Sequence, residues 1–199
     1  MIVPCNEEGI RKASDTVKRG GVVVYPTDTV YGLGCDPRNI QAVRTIYRIK
    51  GRDKSKHLPI LGYSLEEISK IAIFDQLSKK IAEKFWPGPV TLVLKLKDYE
   101  IARSLVLTNK IAVRVPNHPC TLALLRECKL LVGTSANRSG LSPFSDAKDI
   151  IDKLEGYDVL LNGGKITEPS ESTVVEVREN RLKIIRAGKI SEKELLALV

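Results

Sequence analysis

The sequence predicts an α/β fold: a twisted open sheet of mixed direction, flanked by helices and carrying a basic concave groove. Three observations predict it. Short runs of β-branched and aliphatic residues alternate with segments whose apolar residues recur every three or four positions. Two strand-like runs, Thr173 to Val177 and Leu182 to Arg186, flank the turn sequence Arg178-Glu179-Asn180-Arg181 as a hairpin, which makes part of the sheet antiparallel. No internal repeat, low-complexity segment or long linker interrupts the pattern, so residues 1–199 are expected to form one domain.

Taken in order, Ile10, Ala13 and Val17 share one helical face, and Lys18-Arg19 before Gly20-Gly21 ends that helix with favourable charge and a flexible cap. Val22 to Tyr25 is a buried strand. Asn39 caps a helix carrying Ile40, Val43, Ile46 and Tyr47, which stops at Lys50-Gly51. Leu58 to Leu61 is a strand, and Ser64 with Glu67 opens another helix as a capping box. Asp75 to Phe85 is helical, halted by the rigid Trp86-Pro87-Gly88-Pro89. Val90 to Lys97 and Ile111 to Val115 are strands separated by an irregular stretch. Pro119 suits the first position of a helix reaching Cys128, and Leu130 to Val132 is extended. Asp146 to Leu154 is a helix, Tyr157 to Leu161 a strand, and after the hairpin Ser191 with Glu194 caps a last short helix.

Composition narrows the function classes. At 199 residues with 43% hydrophobic and 28% charged residues, the chain is neither disordered nor membrane-spanning; no apolar run approaches the ~20 residues a spanning helix needs. The N-terminus lacks a basic and apolar leader pattern, so a cytoplasmic location is expected. The four cysteines, Cys5, Cys35, Cys120 and Cys128, stand far apart, which argues against a zinc site and leaves reduced structural thiols as the expectation. Lys+Arg 32 against Asp+Glu 24 leaves a net charge of +8, which suits an anionic partner such as a nucleotide or nucleic acid.

In open α/β sheets ligands gather beyond the strand ends. There the chain offers Pro26-Thr27-Asp28-Thr29-Val30-Tyr31-Gly32-Leu33-Gly34 and Gly133-Thr134-Ser135-Ala136-Asn137-Arg138-Ser139-Gly140, both small and rich in hydroxyls. Arg114 lies inside an apolar strand, where a charge is either paired in the interior or aimed at an anion. The hairpin adds Ser170, Ser172 and Thr173 at one end and Arg186 at the other. The run Arg48 to Lys56 is either a solvated basic helix end or a phosphate clamp, with Lys50 and Arg52 bracketing Gly51. No P-loop, dinucleotide fingerprint or nucleophile elbow occurs. The two histidines, His57 and His118, read as surface or capping residues, so His-assisted nucleophilic catalysis is weakly supported. Positioning and electrostatics, as in phosphoryl or nucleotidyl transfer, are the chemistry these donors suit.

Seven motifs stand in order from Gly20 to Gly188: Pro26-Thr27-Asp28-Thr29-Val30-Tyr31-Gly32-Leu33-Gly34, Lys50-x-Arg52, Trp86-Pro87-Gly88-Pro89-Val90-Thr91, Val113-Arg114-Val115-Pro116, Ser135-Ala136-Asn137, Glu171-Ser172-Thr173-Val174 and Arg186-x-Gly188. Together they resemble the YrdC-like threonylcarbamoyl-AMP synthases. The resemblance implies a nucleotidyltransferase joining L-threonine, bicarbonate and ATP, with Mg²⁺ accompanying the ATP, into threonylcarbamoyl-adenylate and pyrophosphate. A threonylcarbamoyl transferase complex then modifies tRNA beside the anticodon. Carried over by position, Lys50, Arg52, Ser135 and Asn137 are the implied catalytic and nucleotide-binding set. Arg186 and Lys110 join them on ATP, while Thr27, Arg114, Ser172 and Gly133 are the implied threonine site, with Arg114 on the carboxylate. Trp86-Pro87-Gly88-Pro89 keeps a structural reading. The family's histidine after the Lys-x-Arg loop is replaced here by Leu61-Gly62, its Ser-Pro-Ser/Thr segment appears as Ser142-Pro143-Phe144-Ser145, and the length is that of the short forms. Two other readings stand beside this one: a non-catalytic module binding tRNA or double-stranded RNA, and a carbamoyl-phosphate-using relative like the module in hydrogenase-maturation carbamoyltransferases.

Overall fold

The computed structural model describes residues 1–199. Its elements run β1 (Ile2–Pro4), α1 (Glu7–Lys18), β2 (Val23–Tyr25), β3 (Gly32–Gly34), α2 (Ile40–Lys50), β4 (Ile60–Gly62), α3 (Leu65–Ser69), β5 (Ala72–Ile73), α4 (Gln76–Phe85) and β6 (Val90–Leu96). They continue with α5 (Tyr99–Leu105), β7 (Lys110–Arg114), α6 (Pro119–Cys128), β8 (Leu130–Val132), β9 (Thr134–Ser135), α7 (Ala147–Lys153), β10 (Val159–Asn162), β11 (Thr173–Arg178), β12 (Arg181–Arg186) and α8 (Glu192–Leu196). The mixed-direction α/β class holds, and the β11–β12 hairpin is present.

The single expected sheet is two. One has the order β1-β10-β2-β3-β9; the other has β12-β11-β6-β7-β4-β8, with β5 added on β6. The chain crosses between them at Val132-Gly133-Thr134, where β8 leaves one sheet edge and β9 enters the other. Glycines make this joint. A Cβ on Gly34 would lie 2.3 Å from the Val132 carbonyl oxygen, and one on Gly32 would lie 2.6 Å from the Tyr25 ring. The ring therefore packs directly on the backbone of β3, and the Tyr25 hydroxyl donates across the joint to Val132 O at 2.9 Å. Side chains here serve closeness rather than strand propensity, so Gly32-Leu33-Gly34 reads as a turn in the sequence yet forms a strand.

Alternation along the strands splits the core. Val23 and Tyr25 point to a cluster with α1 and α6, whereas Val22 and Val24 point to a larger one with α2, Leu92 and Val113. The first cluster touches strands of both sheets through Leu61, Leu131, Val159 and Leu161, so α1 and α6 hold the joint from one side. The helix ends follow local chemistry. Asn39 accepts from the amides of Gln41 and Ala42, and Gly51 closes α2 in the left-handed conformation at φ 54.

Four further differences separate the structure from the sequence pattern. Helix α5 fills the stretch expected to be irregular; with two turns it shows only the Ile101 and Leu105 spacing, and Asp98 caps it by accepting from the Ile101 amide. Ser64 accepts from the Glu67 amide, but the reciprocal half of the expected capping box is missing. His118 occupies the N-cap of α6 without a side-chain cap bond, and its Nδ1 is buried without a partner. Cys5 and Cys120 are disulfide-bonded with Cα atoms 5.6 Å apart, against the expectation of reduced thiols, while Cys35 and Cys128 are free. Sequence spacing could not reveal the pair, because folding brings together residues 115 positions apart. No helix is long and apolar enough to cross a membrane.

Candidate active site

A cavity of about 170 Å³ opens where the two sheets meet, walled by the Thr27–Gly32 loop, Arg114, Gly133–Ser135 and the Ser170–Ser172 segment. Seven of the ten residues expected at the site line it: Thr27, Arg52, Arg114, Gly133, Ser135, Ser172 and Arg186.

Arg114 ends β7 beside Leu61 of β4 and is buried. Its Nε donates to Gly88 O at 2.9 Å, one terminal nitrogen to Thr29 Oγ1 at 3.2 Å, and the other to Asp28 Oδ1 at 2.6 Å. Asp28 Oδ1 also accepts the Asn117 amide at 3.0 Å. A guanidinium carries five N–H bonds; three are committed, so each terminal nitrogen retains one. Burial lowers the Arg114 pKa and the Asp28 carboxylate opposes that shift, so the group stays cationic. The arrangement presents a fixed fork to a carboxylate. The Trp86-Pro87-Gly88-Pro89 stop thereby has a second role, since the Gly88 carbonyl aims this arginine.

Thr27 and Gly133 shape walls. The Thr27 hydroxyl donates to Val30 O at 2.6 Å and accepts the amides of Thr29 and Val30, so it builds the loop from within. A Cβ on Gly133 would come within 2.3 Å of Leu61 Cγ, so glycine permits the close passage of chain between sheets. Ser172 Oγ lies 2.9 Å from Thr91 Oγ1 and accepts from Arg186 at 3.0 Å. Arg186 also donates to Ser172 O, leaving its other terminal nitrogen 3.6 Å from Glu171 Oε1. Arg52 donates to the carbonyls of Lys56 and His57 at 2.9 and 3.2 Å, and retains further N–H bonds at the cavity wall. Burial lowers its pKa.

Lys50 and Asn137 lie behind the wall. Lys50 is 1% exposed, and its ammonium donates to Ser135 O, Asn137 O and Asn137 Oδ1 at 2.5, 2.8 and 3.1 Å. Asn137 Oδ1 also takes the Ser135 hydroxyl at 2.5 Å, while its amide nitrogen donates to Arg138 O and Leu141 O. The expected donors of Lys50, Ser135 and Asn137 are thus spent on one another and on backbone. Burial, with Arg52 adding repulsion, lowers the Lys50 pKa to about 8.

Lys110 does not line this cavity. It starts β7, at the opposite end from Arg114, and pairs with Glu176 in a separate groove beside Ile73 and Lys95. Spacing within a strand explains the separation: four residues at about 3.3 Å each carry a side chain roughly 13 Å away. The structure adds Asp28, Thr29, Tyr31, Thr91 and Ser170, which sequence reasoning assigned no role at the site. The buried Arg114 was the available signal for Asp28, since a buried cation needs an anionic partner.

Residues 15–188 match the Sua5_yciO_yrdC family, described as Telomere recombination. The chain belongs to this family. A Methanocaldococcus jannaschii protein is 35% identical over 98% of this chain and 94% of its own length. The threonylcarbamoyl-AMP synthase of Bacillus subtilis is 31% identical over 98% of this chain, which spans only 57% of that enzyme. Among solved structures, P. abyssi Sua5 complexed with L-threonine superposes with TM-score 0.91 and 29% identity, covering all of this chain and 61% of that one. The chain is therefore a homologue of threonylcarbamoyl-AMP synthases, which are nucleotidyltransferases, and it shares the two-sheet YrdC-like architecture.

Proposed function

We propose that this cleft joins L-threonine, bicarbonate and the magnesium complex of ATP into threonylcarbamoyl-adenylate and pyrophosphate. One observation carries the reading: three guanidiniums from separate elements, Arg52, Arg114 and Arg186, line one cavity and keep uncommitted N–H bonds. Arg114 takes the threonine carboxylate in its fork, and Arg52 and Arg186 take phosphate oxygens. The amino acid reacts as its N-carboxylate, formed when the threonine amine attacks the bicarbonate carbon and a C–O bond breaks to release water. A carbamate oxygen attacks the α-phosphorus, the α–β phosphoanhydride bond breaks, and the electron pair leaves on pyrophosphate. A weak nucleophile needs this step to be held in line, with cations absorbing the charge that builds on the leaving group. Mg²⁺ arrives with the phosphates. The product then passes to a threonylcarbamoyl transferase complex acting on tRNA.

Pyrophosphate release from MgATP should require both threonine and bicarbonate. Release without threonine, or none at all, overturns the reading. A tRNA- or double-stranded-RNA-binding module would use the +8 charge but give no reason for Arg114 to keep free N–H bonds at the cavity. Steeply salt-dependent RNA retention without pyrophosphate release would favour that module.

A further inference from the structure

Lys50 is a buried cation with no carboxylate beside it; the one charge shown to act on it is the like charge of Arg52. Burying an ammonium is costly unless its protons are met. All three are met, by two backbone carbonyls and one side-chain amide oxygen of the Ser135–Asn137 loop. The link runs both ways, since the Ser139 amide donates to the Lys50 carbonyl at 2.8 Å. The same loop continues the β3–β9 pairing, where the Ala136 amide donates to Tyr31 O at 2.8 Å. With every proton spent and the side chain sealed off, Lys50 has no donor left for a phosphate. One residue on, the left-handed Gly51 turns the chain so that Arg52 faces the cavity.

We propose that Lys50 is a positioning residue: its ammonium is a buried post that fixes the Ser135–Asn137 wall, and Arg52 alone of the pair meets the nucleotide. This rests on the synthase reading for its kinetic consequences but not for its structural ones. The turned-in carbonyls of Ser135 and Asn137 keep their negative ends away from the triphosphate. A neutral amine has two N–H bonds for three acceptors, so deprotonation releases one contact. Burial and the like charge of Arg52 both disfavour the ammonium and lower its pKa to about 8. The wall is therefore held below that pH and loosens above it.

The test compares Lys50→Met, Lys50→Arg and Arg52→Met by pyrophosphate-release kinetics across pH, MgATP titration and amide hydrogen exchange of residues 134–141. Lys50→Met should speed exchange at Ala136 and Ser139 and lower kcat about tenfold or more, with the MgATP Kd changed less than about threefold. Arg52→Met should raise the MgATP Kd about tenfold or more and leave that exchange unchanged. The wild-type kcat should fall above about pH 8, and Lys50→Arg, charged throughout, should lack that limb. Weakened MgATP binding in Lys50→Met with unchanged exchange overturns the proposal, as does an identical alkaline limb in Lys50→Arg. If Lys50→Met does not fold, the pH dependence of exchange in the wild-type protein decides: no faster exchange at Ala136 and Ser139 above the Lys50 pKa, after correction for intrinsic rates, overturns it. Exchange needs no turnover, so an inactive wild-type protein refutes the synthase reading while this result still stands or falls by itself.

Discussion

Replacing Arg114 by Met separates what that residue does for the fold from what it does for substrate. The Arg114 and Asp28 side chains are 8% and 14% exposed and meet at 2.6 Å. Removing one member of such a pair strands the other charge, at a cost of about 3–5 kcal/mol. For a chain of this length that lowers Tm by roughly 6–20 °C. The threonine carboxylate loses two charge-assisted hydrogen bonds of about 1.5–3 kcal/mol each, so KM for threonine rises about 10²- to 10⁴-fold. The double variant Asp28→Asn/Arg114→Met relieves the stranded charge and keeps an oxygen for the Asn117 amide. It should recover about 2 kcal/mol or more of the lost stability while threonine affinity stays lost. Thermal melts and threonine-dependent pyrophosphate release read the two effects. A single variant whose KM stays within about threefold of wild type refutes the substrate role, as does a double variant that regains threonine affinity.

Three other outcomes follow from the geometry. Lys110→Ala removes only the exposed pair with Glu176, so turnover should stay within about twofold of wild type; a large rise in KM for MgATP would return Lys110 to the site. Thiol titration of the unfolded protein should find Cys35 and Cys128 before reduction and all four cysteines after, and Cys5→Ser should cost about 2–5 kcal/mol by denaturant unfolding. Four reactive thiols without reductant would contradict the cross-link. Burial raises the Asp98 pKa, but the Ile101 amide and Arg38 outweigh it and leave the folded value below the unfolded one. The stability this confers is present above the unfolded value of about 3.9 and is lost as pH falls through the lower folded value. Urea midpoints should drop on acidification through that range, and less steeply in Asp98→Asn.

Elements with a periodic core face and a strong cap were legible in the sequence: α1, α2, α4 and the β11–β12 hairpin need only local chemistry. The split into two sheets was not. It depends on Gly32, Gly34 and Gly133 admitting Tyr25 and Leu61 to backbone contact, and a glycine in a sequence does not reveal what approaches it. The site divides in the same way. The family resemblance implied Arg52, Arg114 and Arg186 together, and all three line one cavity; residue type alone singled out Arg114, a cation inside an apolar strand. Direction was invisible: Lys50 and Arg52 are two residues apart, yet one enters the wall and the other the cavity. Lys110 and Arg114 share a strand, yet they lie at opposite ends of it. The Cys5–Cys120 link was equally hidden, since it joins the end of β1 to the start of α6 across most of the chain.

The most direct test is a crystal structure with L-threonine and a non-hydrolysable ATP analogue bound together. The threonine carboxylate should sit on the two terminal nitrogens of Arg114, the triphosphate between Arg52 and Arg186, and the Lys50 ammonium still on Ser135 and Asn137. Ligands seated elsewhere, or a triphosphate that leaves Arg52 and Arg186 untouched, would contradict this arrangement.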